Sequence, residues 1–222
     1  MKTTFFQLFL AVSCLIYFSN STFAQKERQR RFSASIVAGT NISQIDGDGE
    51  AGFNQLGLNV GGRANIYIAK RWDISTEILF SQKGSQSAFV RGQPRNMQCR
   101  LNYVEVPVQI NFKDWEISDI DNGSSYMRMV FGAGMTYGRL LGGSYVVGGA
   151  EQDIAQFKNT DISILFSGTA YINRNWGINI GWSRSVVSTT ANSPLNPWLN
   201  SSNPNGSAVN RSIILRAFYT FQ

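Results

Sequence analysis

Apolar and polar residues alternate with a period of two along most of the chain after Arg31. In residues 101–112, for example, the even positions from 104 onward are apolar, whereas the odd positions include Glu105 and Pro107. This period is that of a β-strand, whose successive side chains point to opposite faces. Eight segments of this kind are predicted to be strands, near residues 32–40, 55–69, 72–82, 100–112, 126–140, 161–172, 176–187 and 209–221. Since no helical period persists, the pattern predicts one all-β domain.

The predicted connections alternate between long and short. Long segments rich in Gly, Asn and Ser separate the strands at residues 41–54, 83–99, 141–160 and 188–208. Shorter ones lie between them, at residues 70–71, 113–125 and 173–175. Outer-membrane barrels have short periplasmic turns, long extracellular loops and an even number of strands. The order of lengths therefore predicts four loops outside the cell and both termini in the periplasm.

In each strand, the apolar residues share one parity of position and the polar residues share the other. The residue types at the polar positions indicate whether the apolar face points toward lipid or toward the interior. In the segment 176–187 the apolar residues Trp176, Ile178 and Ile180 alternate with Gly and Asn. Gly, Ser, Thr and Asn suit the narrow lumen of a small barrel better than a water-exposed surface, where Lys and Glu are frequent. The alternative is a soluble sandwich or periplasmic barrel, whose apolar parity points inward. We predict an eight-stranded, antiparallel, up-and-down transmembrane β-barrel over residues 32–222, with its apolar parity toward lipid.

The beginning of the chain has the features of a secretory signal peptide. A basic start, an apolar run over residues 5–18 and small residues before the junction at Ala24 fit that pattern. Residues 1–24 are therefore predicted to be removed on export, leaving residues 25–31 as a basic periplasmic tail. Acylation of Cys14 as a lipoprotein is the alternative.

Composition argues against enzymes and against nucleic acid. The chain carries 20 Lys and Arg against 14 Asp and Glu, but export conflicts with nucleic acid as a partner. It contains no histidine, so Ser-His-Asp and Cys-His sites are excluded. We predict a non-enzymatic protein without catalytic residues or cofactors. Cys99, the single cysteine left after cleavage, is predicted to be a small hydrophobe or an exposed bystander.

The acidic segment at residues 46–50 invites comparison with a calcium loop. An EF-hand loop requires Gly at its sixth position and Glu at its twelfth, and here these are Ala51 and Gly57. We therefore predict a flexible extracellular turn and no metal site, with a weak Ca²⁺ site at Asp46–Glu50 as the alternative.

Charged residues on the polar parity predict a network inside the barrel. These residues are Arg63, Glu77, Glu105, Arg128 and Arg216. Side chains fill the interior of an eight-stranded barrel, where unpaired charges are costly and Arg–carboxylate pairs satisfy each other. We predict a plug centred on Glu77 and Glu105 and bridged by Arg63 and Arg128. Pro107 shares this parity and cannot donate a hydrogen bond, so a bulge or a missing bond is expected beside it.

Several stretches carry a family resemblance: GTNIS at 39–43, ISTEILFSQKG at 74–84, LNYVEVPV at 101–108, FGAG at 131–134 and the Ala24-Gln25 junction. Together they resemble the PorT-like family of small outer-membrane β-barrels of Bacteroidetes. The resemblance covers nearly all of the mature chain in order and implies an eight-stranded barrel in the outer membrane. It supplies no catalytic residues, and it implies a role in protein secretion only for the namesake branch. The last strand, with Phe221 one residue from the end, also resembles the assembly signals of such barrels.

The leading hypothesis is a barrel that acts as a structural, interaction or secretion-accessory component through its extracellular loops, residues 188–208 above all. Its partners would be outer-membrane lipid and envelope or secretion-system proteins. A narrow pore for small solutes and a soluble periplasmic binding barrel are the alternatives.

Overall fold

The computed structural model describes residues 31–48, 52–88, 97–119, 124–190 and 208–221. The predicted signal peptide, nearly all of the basic tail and most of the segment 188–208 lie outside these residues. The strands are β1 (Phe32–Asp46), β2 (Gln55–Ala69), β3 (Trp72–Gln86), β4 (Met97–Asp119), β5 (Ser124–Val147), β6 (Ala150–Gln152), β7 (Thr160–Tyr171), β8 (Trp176–Ser185) and β9 (Val209–Phe221). A 3₁₀ turn, Ile154–Gln156, follows β6.

Eight of the strands form a closed antiparallel ring. Neighbours pair in the order β4-β3-β2-β1-β9-β8-β7-β5, and β5 pairs back with β4. The short β6 pairs only with the end of β5. A closed ring satisfies the backbone hydrogen bonds of every strand, as a bilayer requires. The predicted eight-stranded transmembrane β-barrel is therefore confirmed.

An apolar belt covers the outside of the ring. Each ring strand contributes at least one exposed, large apolar residue to it: Ile36, Ile66, Ile78, Val108, Met135, Phe166, Ile178 and Leu215. Soluble monomers rarely expose such continuous apolar surface. The apolar parity thus faces lipid as predicted, and the soluble alternative with an apolar interior is wrong.

Aromatic rings cluster on the outside near the short turns. Trp72 and Phe112 lie with ring centroids 5.1 Å apart, and Trp176 lies 5.1 Å from Tyr219. Tyr219 in turn contacts Phe221 at 5.3 Å. Aromatic side chains of this kind favour the interface between hydrocarbon and headgroups. They mark one boundary of the membrane at the turn end of the barrel.

The strands extend further toward the loop end than the alternation predicts. β1 continues to Asp46 and β3 to Gln86, so the predicted loops at 41–54 and 83–99 were too long. At these ends both faces of the strands carry polar residues, as in Gln82-Lys83-Gly84-Ser85. The alternation disappears from the sequence there, while the backbone pairing continues.

The β4–β5 hairpin projects beyond the ring at the turn end. β4 pairs with β3 only as far as Phe112, and β5 begins to pair with β7 at Met129. Beyond these points the two strands pair with each other as far as Asp119 and Ser124. The predicted turn at 113–125 is therefore largely strand. Exposed ion pairs join the base of this hairpin to the β2–β3 turn, at 2.9 Å between Lys70 and Glu116.

Pro107 interrupts the pairing between β3 and β4. Thr76 pairs with Val108 and Leu79 with Glu105, and the two positions between these pairs are not in the ladder. The register is the same on both sides of the interruption. The predicted loss of ladder hydrogen bonding beside Pro107 is therefore confirmed, whereas the alternative of a bulge at this place is wrong.

Candidate functional site

The centre of the lumen holds a carboxylate between two arginines. Glu77 of β3 and Arg63 of β2 are direct cross-strand partners, and the Arg63 Nε lies 3.4 Å from the Glu77 Oε1. Arg216 reaches Glu77 from β9, three strands away around the ring, with its Nη1 2.7 Å from the Oε2. All three side chains are buried. This group, the Glu77 cluster, carries one positive charge in excess.

An aromatic ring and polar side chains hold the two guanidinium groups. The Phe218 ring lies under both, with its centroid 4.8 Å from the Arg63 Cζ and 5.3 Å from that of Arg216. Arg63 also donates to the Ser75 hydroxyl at 2.9 Å, and Arg216 donates through two nitrogens to the Asn179 amide oxygen. Cation–π contact and neutral acceptors of this kind stabilise a guanidinium that has left water. These contacts therefore stabilise the positive charge that Glu77 does not neutralise.

A second cluster nearer the loop end has the opposite excess. The Lys83 Nζ lies 2.5 Å from the Glu105 Oε1 and 3.7 Å from the Asp161 Oδ2. Hydroxyl groups of Ser163 and Ser185 donate to Asp161. Lys83 and Asp161 lie on β3 and β7, three strands apart around the ring. This group, the Lys83 cluster, carries one negative charge in excess.

A neutral pair lies near the turn end of the lumen. The Lys113 Nζ is 3.4 Å from the Asp73 Oδ2 and 4.2 Å from the centroid of the Tyr67 ring. Asn111 donates to Asp73 at 2.7 Å. Together, the two clusters and this pair contain four positive and four negative side chains.

Four of the five predicted network residues lie in the lumen, and the connections differ from those expected. Arg63, Glu77, Glu105 and Arg216 are buried there. Arg128, however, is exposed and lies over the Trp115 ring, with 5.3 Å between its Cζ and the ring centroid. It has the inward parity, but it belongs to the hairpin that projects beyond the ring. Since its strand has no second neighbour there, the side chain is not enclosed.

The predicted bridge from Glu77 to Glu105 is therefore wrong. Glu105 binds Lys83 instead, and the two carboxylates belong to separate clusters. The prediction missed Lys83 because its segment resembles a loop. It also missed Asp161, although this residue shares the polar parity of Ser163 in a predicted strand.

A cluster of buried, mainly apolar side chains lies at the loop end of the lumen. Buried side chains of the strands meet Phe157, from the segment after β6, and Ala208, which precedes β9; the cluster consists of Ile45, Met97, Cys99, Leu101, Tyr103, Tyr145, Phe157 and Ala208. The Phe157 ring packs edge-on against Tyr145 at 5.8 Å. Cys99 is thus a buried small hydrophobe, as one of its two predicted roles requires, and the other role, an exposed bystander, is excluded.

The acidic segment after β1 is partly described. The Asp46 carboxylate accepts from the Arg211 Nη1, with both oxygens at 3.2 Å, and faces outward. Glu50 lies outside the described residues. Among those described, no three His, Cys, Asp or Glu side chains are grouped to hold a metal ion. The flexible turn therefore stays a prediction, and the weak Ca²⁺ site stays its alternative.

A closed β-ring with an apolar outside and paired charges inside defines an integral membrane barrel. No helix within the described segments is long and apolar enough to span a bilayer. The sequence matches the family described as outer membrane protein β-barrel domain over residues 23–191, so the chain belongs to this family. The protein is an outer-membrane β-barrel protein.

Solved structures of bacterial surface barrels are similar to this one. Ail of Yersinia pestis has 15% sequence identity and a TM-score of 0.48, with 86% of this chain and 100% of that chain covered. Neisserial surface protein A has 10% identity and a TM-score of 0.42, covering 86% and 98%. CarO of Acinetobacter baumannii has 10% identity and a TM-score of 0.40, covering 83% and 96%. No curated protein matches the chain.

Proposed function

We propose that the protein is a non-enzymatic outer-membrane barrel with a plugged lumen, which acts as a structural, interaction or secretion-accessory component through its extracellular loops. The pairing of the eight charges in the two clusters and the Asp73–Lys113 pair supports this proposal best. Each charged group has an oppositely charged partner within 4 Å, and the two clusters reach across the lumen. Side chains held in this way leave little room for a continuous water path.

Electrical recording on the refolded full-length protein tests the plug. We expect no steady conductance in a planar bilayer for the wild type. Glu77→Ala and Lys83→Ala each remove the centre of one cluster, so we expect transient openings in both variants. Steady conductance of the wild type at low voltage would overturn the proposal. An Asp114→Ala variant, altered outside the lumen, is the control for refolding and insertion.

A narrow pore for small solutes is the second candidate. It is favoured by the polar inner wall, which runs from the Asp73–Lys113 pair at the turn end to Asp161 near the loop end. The two candidates differ in the current that they predict. A pore has a defined unitary conductance, and the Lys83 cluster, with its negative excess, would favour cations over anions.

The PorT-like branch of Bacteroidetes and the role in secretion are part of the same proposal. The resemblance of segments 74–84 and 101–108 supports them. Envelope or secretion-system proteins would then bind the outer loops. Crosslinking in native membranes tests this, with a chain shortened within residues 191–207 as the control. Equal crosslinking of both chains would contradict a role of that loop in binding.

Export and orientation complete the proposal. The signal peptide is expected to be cleaved after Ala24, and both termini are expected to lie in the periplasm. The short turns at one end of the barrel and the longer connections at the other support this orientation. Mass measurement of the mature chain tests cleavage. Protease added to intact cells should cut within residues 191–207 and leave a tag at the C-terminus uncut.

A further inference from the structure

Two arginines face outward side by side at the loop-end edge of the apolar belt. Arg184 of β8 and Arg211 of β9 are direct cross-strand partners. One outward position closer to the turn end, the corresponding partners are Trp182 and Ile213. On the adjacent strand β1, Gln44 pairs with Arg211, whereas Ile42 pairs with Ile213. The lipid-facing surface thus changes from apolar to cationic within one step along these strands.

The two arginines share a single carboxylate. The Arg211 Nη1 lies 3.2 Å from each Asp46 oxygen, and the Arg184 Nη2 lies 4.0 Å from Asp46. The Arg184 side chain is 49% exposed, and that of Arg211 is 35% exposed. Like charges directly opposite each other on neighbouring strands are destabilising. Among the described residues, Arg184, Arg211 and Asp46 together therefore carry one positive charge in excess.

Arg211 is held in place more firmly than Arg184. The Phe53 ring, from the connection between β1 and β2, lies 5.9 Å from the Arg211 Cζ. The Gln44 amide donates to Asp46 and helps to fix the carboxylate. The pair therefore offers one ordered guanidinium and one adaptable guanidinium to an anion approaching from the membrane side.

We propose that Arg184 and Arg211 bind a phosphate group of an anionic lipid in the outer leaflet. The position of the two arginines favours a lipid as the ligand. Trp182 and Ile213 lie one outward position closer to the turn end and form an apolar surface on which acyl chains can pack. Guanidinium groups are well matched to phosphate oxygens in charge and geometry. The inference rests on the orientation under the proposed function, with the loop end facing the outside.

Binding of phosphorylated lipid by the full-length protein in zwitterionic detergent tests the site. The probes are diphosphoryl lipid A, the same lipid without its phosphates, and inorganic phosphate, each followed by native mass spectrometry or titration calorimetry. We expect preferential binding of the diphosphoryl lipid. Arg184→Gln should weaken it about fivefold, or about 1 kcal/mol, since a basic residue at an anionic membrane surface contributes about that much. Arg211→Gln should have at least the same effect.

The controls separate this site from general charge attraction and from misfolding. Arg128→Gln removes an exposed arginine at the turn end and should leave lipid binding unchanged. Arg184→Gln keeps the Arg211–Asp46 pair and should retain the heat-modifiable gel mobility of the wild type. Equal affinity for the dephosphorylated lipid, or an equal loss in Arg128→Gln and Arg184→Gln, would overturn the site. Full competition by low millimolar inorganic phosphate would overturn the assignment to a lipid.

These measurements do not depend on the conductance of the barrel or on its orientation. A conducting protein that prefers the phosphorylated lipid would contradict the plug and leave the site intact. Protease accessibility that places the loop end in the periplasm would contradict the outer-leaflet assignment, even if the lipid binds in detergent.

Discussion

Replacement of Glu77 by Gln is the sharpest test of the lumenal charges. The change preserves the shape of the side chain and removes its charge. The Glu77 side chain is 0% exposed, and its arginine partners Arg63 and Arg216 are 4% and 1% exposed. Removal of one partner from a buried ion pair costs about 3–5 kcal/mol, because the remaining charge is uncompensated. Both arginines keep neutral acceptors and the Phe218 ring, so we expect the lower end, about 3 kcal/mol.

Unfolding by urea in zwitterionic vesicles measures this loss. Tryptophan fluorescence and heat-modifiable mobility report the two states independently, and the chain has five tryptophans. Asp114→Asn is the matched control, because it also converts a carboxylate to an amide. The Asp114 carboxylate forms an exposed ion pair with Arg71 at 3.5 Å. Its removal should change the free energy of unfolding by less than about 0.5 kcal/mol.

Two outcomes would refute this reasoning. A loss for Glu77→Gln no greater than that for Asp114→Asn would mean that lumenal water screens the arginines. The second outcome concerns Arg63. Arg63→Gln should destabilise the wild type more than it destabilises the Glu77→Gln variant, since residues of one ionic cluster are energetically coupled. Equal effects in both backgrounds would show that the two residues do not interact.

Three further predictions concern other features of the barrel. Lys83→Met leaves two lumenal carboxylates without their ammonium partner and should lower the free energy of unfolding by about 3 kcal/mol in the urea assay. Gly39→Ala would place a Cβ 2.1 Å from the Leu215 carbonyl oxygen and should cost about 1–3 kcal/mol, whereas Gly62→Ala, with its nearest neighbour at 3.9 Å, should be tolerated in the same assay. Hydrogen bonds donated by Lys70 and Ser125 hold the pKa of Glu116 below its ordinary value. The ionised carboxylate therefore stabilises the fold at pH values above the ordinary pKa. This contribution is lost as the pH falls through the lowered pKa. Urea midpoints of the wild type and of Glu116→Gln should therefore converge in acid.

The period of two was sufficient to predict the ring and the direction of its side chains. Val108 and Ile110 point to lipid and Glu105 into the lumen because lipid and a narrow interior impose opposite chemistry on alternate residues. The same rule fails at strand ends, where both faces are polar. For this reason the pattern predicts a loop at Lys83 and does not identify the partner of Glu105.

The alternation of apolar and polar residues does not predict which side chains contact each other across the lumen. Alternation indicates that a residue faces inward. It does not indicate the position of that residue along the barrel axis or the strand that lies opposite it. Arg128 has the correct parity and lies outside the ring, because the β4–β5 hairpin extends beyond the other strands. Arg216 and Asp161 find their partners three strands away, and this depends on the register and closure of the whole ring.

The two charge clusters link the closure of the ring to its register. Glu77 and Lys83 lie on the same face of β3, six residues and about 20 Å of strand apart. Arg216 of β9 completes one cluster and Asp161 of β7 completes the other, so each forms only when strands distant in the ring have met. The Arg216 side chain passes over Gly39 of β1, where any larger side chain would collide with it. A slip of one residue in β9 would turn Arg216 toward lipid and leave Glu77 with a single arginine. The lumenal charges therefore favour one register of an eight-stranded ring over its neighbours.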